Sequence, residues 1–413
     1  MTFADSTHIS TPKVSAAARA APTARVRDIR LDFFRGIAMF IILFAHTPGN
    51  FFTSWIPARW GFSDATEIFV FCSGMASAIA FGGSFDRKGW RIGTARVGFR
   101  VWQVYWAHVG LFIAVATLMA AIDHYGDFGK VYIGSLNLWN FFSDPGPQLV
   151  GLMTLTYVPN YFDILPMYMV VLVMMPVVMA LARVHLSMVA AFVVLVWILA
   201  QKALWIWSGY GDHHFAFPAE PWSTRTWFFN PFGWQLIFFT GFAFMRGWLP
   251  KPPVTPMLIG LSLALVLANI PISDIGVREF ELGWATEWRT TNAGLFDKSD
   301  FGVLRYVHFL ALAYLFWVAA GDKGARLTTI GTGPVAKLWQ GILAVILKVG
   351  QQSLAVFIVS MFIAQIMGFT MDMIGRETWT VVAINLAGMG VLVAAAYGAG
   401  WFKSHPWKTK VVH

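Results

Sequence analysis

Charge is scarce in this chain. Only 12% of its 413 residues are Asp, Glu, Lys or Arg, against 57% hydrophobic, which excludes an ordinary soluble domain, where about a quarter of residues are charged. Cysteine is all but missing. Cys72 stands alone, so no intramolecular disulfide can form, and its place in an apolar run makes it a buried, inert thiol. The first thirty residues lack an apolar signal core followed by a small-residue cleavage site, which argues against secretion. There is no Gly-x-Ser-x-Gly motif, which excludes the nucleophile elbow of serine hydrolases. Metal-ligand spacing is also lacking: His213 and His214 form a loop pair without acidic ligands in helical register, and no metal or permanently bound cofactor is expected. The net charge of +9 is not gathered into a basic stripe on a base-reading fold, so nucleic acid is not an expected partner.

What is abundant is long apolar sequence. Stretches of about 17 to 25 residues recur, each long enough to cross a hydrocarbon core of roughly 30 Å as a helix. Lipid offers no hydrogen bonds to exposed backbone, so helices are the expected spanning structure. The pattern predicts an all-α polytopic integral membrane protein with about ten spans, at 31–47, 64–82, 101–122, 164–183, 186–206, 231–249, 255–273, 303–320, 351–370 and 379–401. The lipid bilayer is its first partner. Three regions follow: a disordered basic tail over 1–30, a membrane domain over 31–402 and a basic tail over 403–413.

Charge sorts by side. Arg25, Arg27 and Arg30, the run Arg87, Lys88, Arg91, Arg96 and Arg100, and then Arg246, Lys251, Lys323, Arg326, Lys403, Lys408 and Lys410 all fall in one set of connections. The positive-inside rule places these connections and both termini in the cytoplasm. The opposite loops carry most of the acids, among them Asp123, Asp127, Asp144, Asp212, Glu220, Asp274, Glu279, Glu281 and Glu287. They are also rich in tryptophan, which reads either as sugar-stacking surface or as an interfacial aromatic belt. Val335 to Lys348 has the pattern of an amphipathic helix lying on the membrane.

The first span is the most informative. Asp32, Arg35 and His46 are ionisable groups in an otherwise apolar helix, where such groups are costly and face cavities or partners. Arg35 and His46 are eleven residues apart, which returns to nearly the same azimuth about 16 Å further along the axis. Asp32 falls within about 40° of that face. Thr47-Pro48-Gly49-Asn50 should end the helix just after His46 and open the packing there. Guanidinium suits a phosphate or carboxylate, and neutral imidazole can take a proton from a hydroxyl and return it to a leaving group. Glu67 is the nearest carboxylate able to fix the imidazole tautomer, although Asp64-Ala-Thr-Glu67 reads equally well as a helix capping box. Glu67, Asp32 and His308 are the three candidate partners of His46.

These residues carry a resemblance. Arg27-Asp-Ile-Arg-Leu-Asp-Phe-Phe-Arg-Gly36 followed by His46-Thr-Pro-Gly-Asn50 resembles the start of the OpgC-type family, within the membrane acyltransferase-3 superfamily. Further matching stretches are Gly61 to Gly74, Asp163 to Tyr168, Asn230 to Gln235, Arg305 to His308 with Leu310 to Tyr314, and Gln352 to Phe357. The resemblance implies transfer of succinyl from cytoplasmic succinyl-CoA to osmoregulated periplasmic β-glucans, in a bacterial inner membrane. It maps the superfamily's Arg and His pair onto Arg35 and His46. Gln352 stands where histidine is common, which argues against catalysis at that position.

On that reading His46, Arg35, Glu67 and Asp32 are the catalytic candidates. Arg35, Arg96, Arg100, Arg305 and His308 are the donor-binding candidates, and Asp64, Asp163, Trp234 and Gln235 the acceptor-binding ones. Each has a plainer reading too: Arg96 and Arg100 as cytoplasmic anchors, Arg305 and His308 as packing or ion pairing, Trp234 and Gln235 as interface anchors. Asn230 before Pro231 and Asp163 before Pro166 read as helix caps. Acylation of another surface glycan, or transport by a helix bundle with intramembrane charges, are the alternatives. A homo-oligomer is compatible with the sequence.

Overall fold

The computed structural model describes residues 28–126, 128–329 and 331–407. The expected N-terminal tail up to residue 27, Asp127, and the C-terminal tail from residue 408, including Lys408 and Lys410, lie outside the described residues. Among those described there is no strand, only an isolated bridge pairing Pro218 with Thr226.

Eleven helices build the bundle. In chain order they are α1 (Arg30–His46), α2 (Ala65–Ser77), α3 (Gly83–Tyr125), α4 (Ile164–Val184), α5 (Leu186–Leu199), α6 (Pro231–Arg246), α7 (Pro256–Asn269), α8 (Val303–Ala320), α9 (Pro334–Gln351), α10 (Ser353–Ile374) and α11 (Thr378–Lys403). By length and composition, six described helical stretches can cross a membrane: Ala65–Tyr125, Ile164–Val184, Pro256–Arg278, Val303–Ala320, Ser353–Ile374 and Thr378–Lys403. Six is fewer than the ten spans expected, for identifiable reasons. Two expected spans fall in the 61-residue stretch Ala65–Tyr125. That stretch is not one rod: Gly89 has φ 78°, and a Cβ on Gly93 would run into the Phe85 ring. In a straight helix residues 85 and 93 would be about 12 Å apart, so the chain turns back on itself at Gly89, where only glycine adopts that conformation at little cost.

The other difference is length. α1, α5 and α6 have 17, 14 and 16 residues, and at 1.5 Å per residue even α1 covers only about 25 Å. Polar caps bound α1 and α6. Asn230 accepts from the Phe232 amide before Pro231, the cap that its sequence announces. Thr47 closes α1 through its amide and hydroxyl to the Leu43 carbonyl.

The central helix is α1, packed by α2, α9 and α10. Glycine sets the closest of these contacts. The backbone of α9 lies directly on α1, with Gly36 against the Ile346 carbonyl and Gly350 against the Asp32 carbonyl. So α9, expected to lie on the membrane, buries Leu343, Ile346 and Val349 inward, while Val335, Leu338 and Ile342 stay exposed. The folded region also begins before residue 31. Arg30 bonds Asp28 and the Gly321 carbonyl, and its guanidinium lies 3.4 Å from the centre of the Trp317 ring.

Candidate functional site

Where α1 ends, the chain is tied down. The Arg376 guanidinium donates to the Pro48 and Gly49 carbonyls at 2.8 and 2.9 Å, and Asn50 pairs with Asn385 at 2.9 Å. Arg376 is held in turn by Asp372 at 2.5 Å, which also takes Lys130 and Tyr132. This fastening fixes His46 at the helix end.

The His46 ring has a defined orientation. Its Nδ1 lies 2.8 Å from the Ile42 carbonyl, and a carbonyl can only accept, so Nδ1 carries the proton. In the neutral ring Nε2 keeps its lone pair, which is the arrangement a general base needs. Tyr161 packs edge-on against the imidazole, 5.5 Å between centroids, with its hydroxyl on the Met361 carbonyl at 2.5 Å. Tyr161 holds φ at 90°, uncommon for an aromatic residue and a local strain of the kind found at functional sites.

His46 lines a chamber of about 400 Å³ together with Asp64, Asn160, Tyr161, Asp163 and Lys298. Its remaining walls are mostly apolar, from Ile41 and Ala45 to Phe228 and Phe357. Beside it opens a larger vestibule of about 800 Å³, which shares Ala45, Ile56, Asp64 and Lys298 with the chamber. The vestibule is strongly charged, its wall including Arg59, Lys202, Asp274, Arg289, Asp300 and Arg305. Burial raises the Asp300 carboxyl above its ordinary value, against the opposing pull of the Asn230 amide and of His214. An ion pair between Asp64 and Lys298 stands on the boundary of the two spaces.

Behind that boundary lies a second, largely buried charge pair. Asp64 and Glu67 do form a capping box, with the Asp64 amide on Glu67 Oε2 at 2.8 Å and the Thr66 amide on Asp64 at 2.6 Å. The other Glu67 oxygen faces Arg305 Nε at 3.1 Å, and these side chains are 0% and 8% exposed. Arg305 also donates to the Phe62 carbonyl. His308 accepts from Ser63 through Nδ1 and closes on Gly61, where any Cβ would strike the imidazole. Together Arg305 and His308 clamp the Gly61 to Ser63 turn onto α8. Breaking such a buried pair by removing one partner costs about 3–5 kcal/mol.

These contacts correct several expectations. Glu67 is not the partner of His46, because its carboxylate is spent on the cap and on Arg305. His308 is not either, being bound to Ser63. Asp32 lies near the opposite end of α1, about 21 Å away along the axis, with Gln351 3.4 Å from its carboxylate. The partner of His46 is the Ile42 carbonyl, one turn back on its own helix. Trp234 and Gln235 do not reach the chamber. Both are completely buried, Trp234 donating to the Lys298 carbonyl at 2.9 Å and Gln235 to the Val193 carbonyl at 2.7 Å. Asp163 does line the chamber, but it accepts from the Phe228 amide at 3.0 Å and makes no cap on α4. Acids absent from helical register with the His213-His214 pair are brought in by the fold, since His214 contacts Asp212 at 2.5 Å and lies 3.8 Å from Asp300. Among the described residues no group of three His, Cys, Asp or Glu side chains is arranged to hold a metal ion.

Arg35 belongs to the other end. It bonds the Ser353 hydroxyl at the start of α10, and its Nε is buried without a hydrogen-bond partner among the described residues. Lys403 feels the charges of Arg100, Arg35 and Lys348 together and donates to Gln352 at 2.7 Å. Arg96 points elsewhere, to the Ser84 hydroxyl at 2.6 Å. One turn beyond Ser353, Phe357 stacks on Phe69 with centroids 5.8 Å apart and forms part of the chamber wall. The Arg35 end and the His46 chamber are thus separated by an aromatic pair.

A family model described as OpgC protein matches residues 27–404. The chain belongs to the OpgC family. Membership points to a glucan-modifying acyltransferase, and the match takes in α1, both ends of its polar face and every residue of the chamber. No curated protein and no solved structure is matched. Sequence reasoning missed Lys298 and Tyr161. Lys298 had one visible signal, as the lone cation of the acidic run Asp297-Lys298-Ser299-Asp300.

Proposed function

We propose that this protein is an inner-membrane O-acyltransferase that carries succinyl from cytoplasmic succinyl-CoA to hydroxyl groups of osmoregulated periplasmic glucans. Family membership supports the reaction class, and the observation that carries the mechanism is His46: its Nδ1 is committed to the Ile42 carbonyl, leaving Nε2 as the base available to a ligand of the chamber.

In this mechanism the donor's phosphates bind at the basic end formed by Arg35, Arg100, Lys348 and Lys403, and its flexible arm runs along α1 past Phe69 and Phe357. A glucan hydroxyl enters the chamber from the charged vestibule past Asp64 and Lys298, which line both. His46 Nε2 takes the hydroxyl proton as the oxygen attacks the thioester carbonyl. The tetrahedral intermediate collapses, the carbon–sulfur bond breaks, and the imidazolium returns the proton to the leaving thiolate. One succinyl ester and one CoA thiol result, with His46 restored. No covalent enzyme intermediate is needed, because both substrates are brought to one nitrogen.

The experiment is mass spectrometry of periplasmic glucans from cells with and without this protein. Succinyl esters present only with the protein are expected. Identical anionic substituents in both strains would remove glucan succinylation as its function.

A further inference from the structure

The chamber has a single cation on its wall. Of the Lys and Arg side chains among the described residues, Lys298 is the one that lines the space beside His46, and its position is built rather than incidental. The backbone under it is pinned by the core: the indole of Trp234 donates to the Lys298 carbonyl at 2.9 Å, and the Asn230 amide donates to the Ser299 carbonyl at 3.0 Å. From that anchored base the ammonium reaches the boundary between vestibule and chamber and meets the Asp64 carboxylate. The two partners differ in freedom. Asp64 is fixed as the cap of α2 by the Thr66 amide, whereas a lysine carries three rotatable donors on a flexible stem. The carboxylate at Asp64 takes one of those donors, and the others remain for an anion in the chamber.

We propose that Lys298 selects the acyl group, by pairing with the free carboxylate of a dicarboxylic acyl chain while its thioester end lies at His46. This rests on the reading of the protein as an acyltransferase and adds a specificity residue to it. A neutral acyl group such as acetyl offers nothing to the ammonium. A dicarboxylic one brings a second charge that would otherwise be desolvated in a largely apolar chamber, where an unpaired carboxylate is heavily penalised. Lys298 therefore favours one class of donor over the other, and Asp64 holds the ammonium in place between turnovers.

The test uses the full-length protein in proteoliposomes, with a β-glucan acceptor and an equimolar mixture of succinyl-CoA and acetyl-CoA. The readout is the ratio of succinyl to acetyl esters. Lys298→Gln is expected to lower that ratio at least tenfold, and Lys298→Arg to hold it near the wild-type value. Because Lys298→Gln alone takes the ion-pair partner from Asp64, the double variant Asp64→Asn with Lys298→Gln is measured beside it, and it too should lower the ratio. An unchanged ratio in both Gln-bearing proteins, or equal loss of both esters, overturns the assignment of Lys298 while leaving acyl transfer intact. If wild-type protein forms neither ester, the acyltransferase reading falls and this inference with it.

Discussion

The two ends of α1 are built on different principles. At the Arg35 end, positive charges gather beside the acid Asp32: Arg35, Arg100 and Lys348 all act on Lys403, Arg35 bonds Ser353, and Lys403 bonds Gln352. At the His46 end nearly every charge has a partner, with Asp64 on Lys298, Glu67 on Arg305, Asp274 on Arg59 and Asp372 on Arg376. A cluster with an excess of basic groups attracts anions, whereas a polar chamber whose charges are mostly paired presents hydrogen-bonding groups with little excess charge. In the proposed mechanism the polyanionic donor therefore belongs at the first end and an uncharged hydroxyl acceptor at the second.

The largest effect that would sharpen this contrast is at His46. His46→Ala should lower acyl transfer by about 10²–10⁴-fold, the usual contribution of a general base, with the affinity for CoA little altered because its phosphates bind about 16 Å away. Initial rates and a direct binding isotherm on the same preparation check both halves; transfer within tenfold of wild type would remove His46 as the base. Next in size is the buried pair. Glu67→Ala leaves Arg305 unpaired and should cost about 3–5 kcal/mol of stability, read as a lowered melting temperature in detergent. A melting temperature equal to wild type would mean that the pair does not hold the Gly61 to Ser63 turn.

Arg35→Met probes the other end. Losing a charged hydrogen bond, about 1.5–3 kcal/mol, should raise the KM for acyl-CoA roughly tenfold or more and change the KM for glucan little. If the glucan KM rises instead, the two ends have been assigned in the wrong order. The smallest effect is expected of Gln235→Leu, which deletes the amide's bonds to the Val193 and Phe232 carbonyls in the core. It should cost about 1 kcal/mol and leave the glucan KM within twofold; a large rise would restore Gln235 to the acceptor site.

Much of this was legible from local pattern. The polar face of α1, the helix end after His46, the Asn230 cap and the Asp64-Ala-Thr-Glu67 box all follow from spacings of fourteen residues or fewer, which helix geometry converts into position. What could not be read is long-range. Glu67 had two readings until α8 brought Arg305 beside it, and the cap and the ion pair turned out to use its two oxygens separately. Trp234 and Gln235 look alike as interface or sugar-binding side chains, yet their direction depends on how α6 packs against α5 and the 298–301 loop. Lys298 joins the chamber only through that packing. The six stretches long enough to span do not settle the expected ten, since Ala65–Tyr125 holds two of the expected spans either side of the turn at Gly89, and α1, α5 and α6 run only 17, 14 and 16 residues.

The division of labour along α1 is tested most directly by sidedness. Proteoliposomes loaded with β-glucan, carrying protein oriented with its Arg35 end outward, are given succinyl-CoA on the outside only. Wild-type protein should esterify the enclosed glucan, and His46→Ala protein should not. Ester formed only when glucan and succinyl-CoA share one compartment would contradict transfer between the two ends.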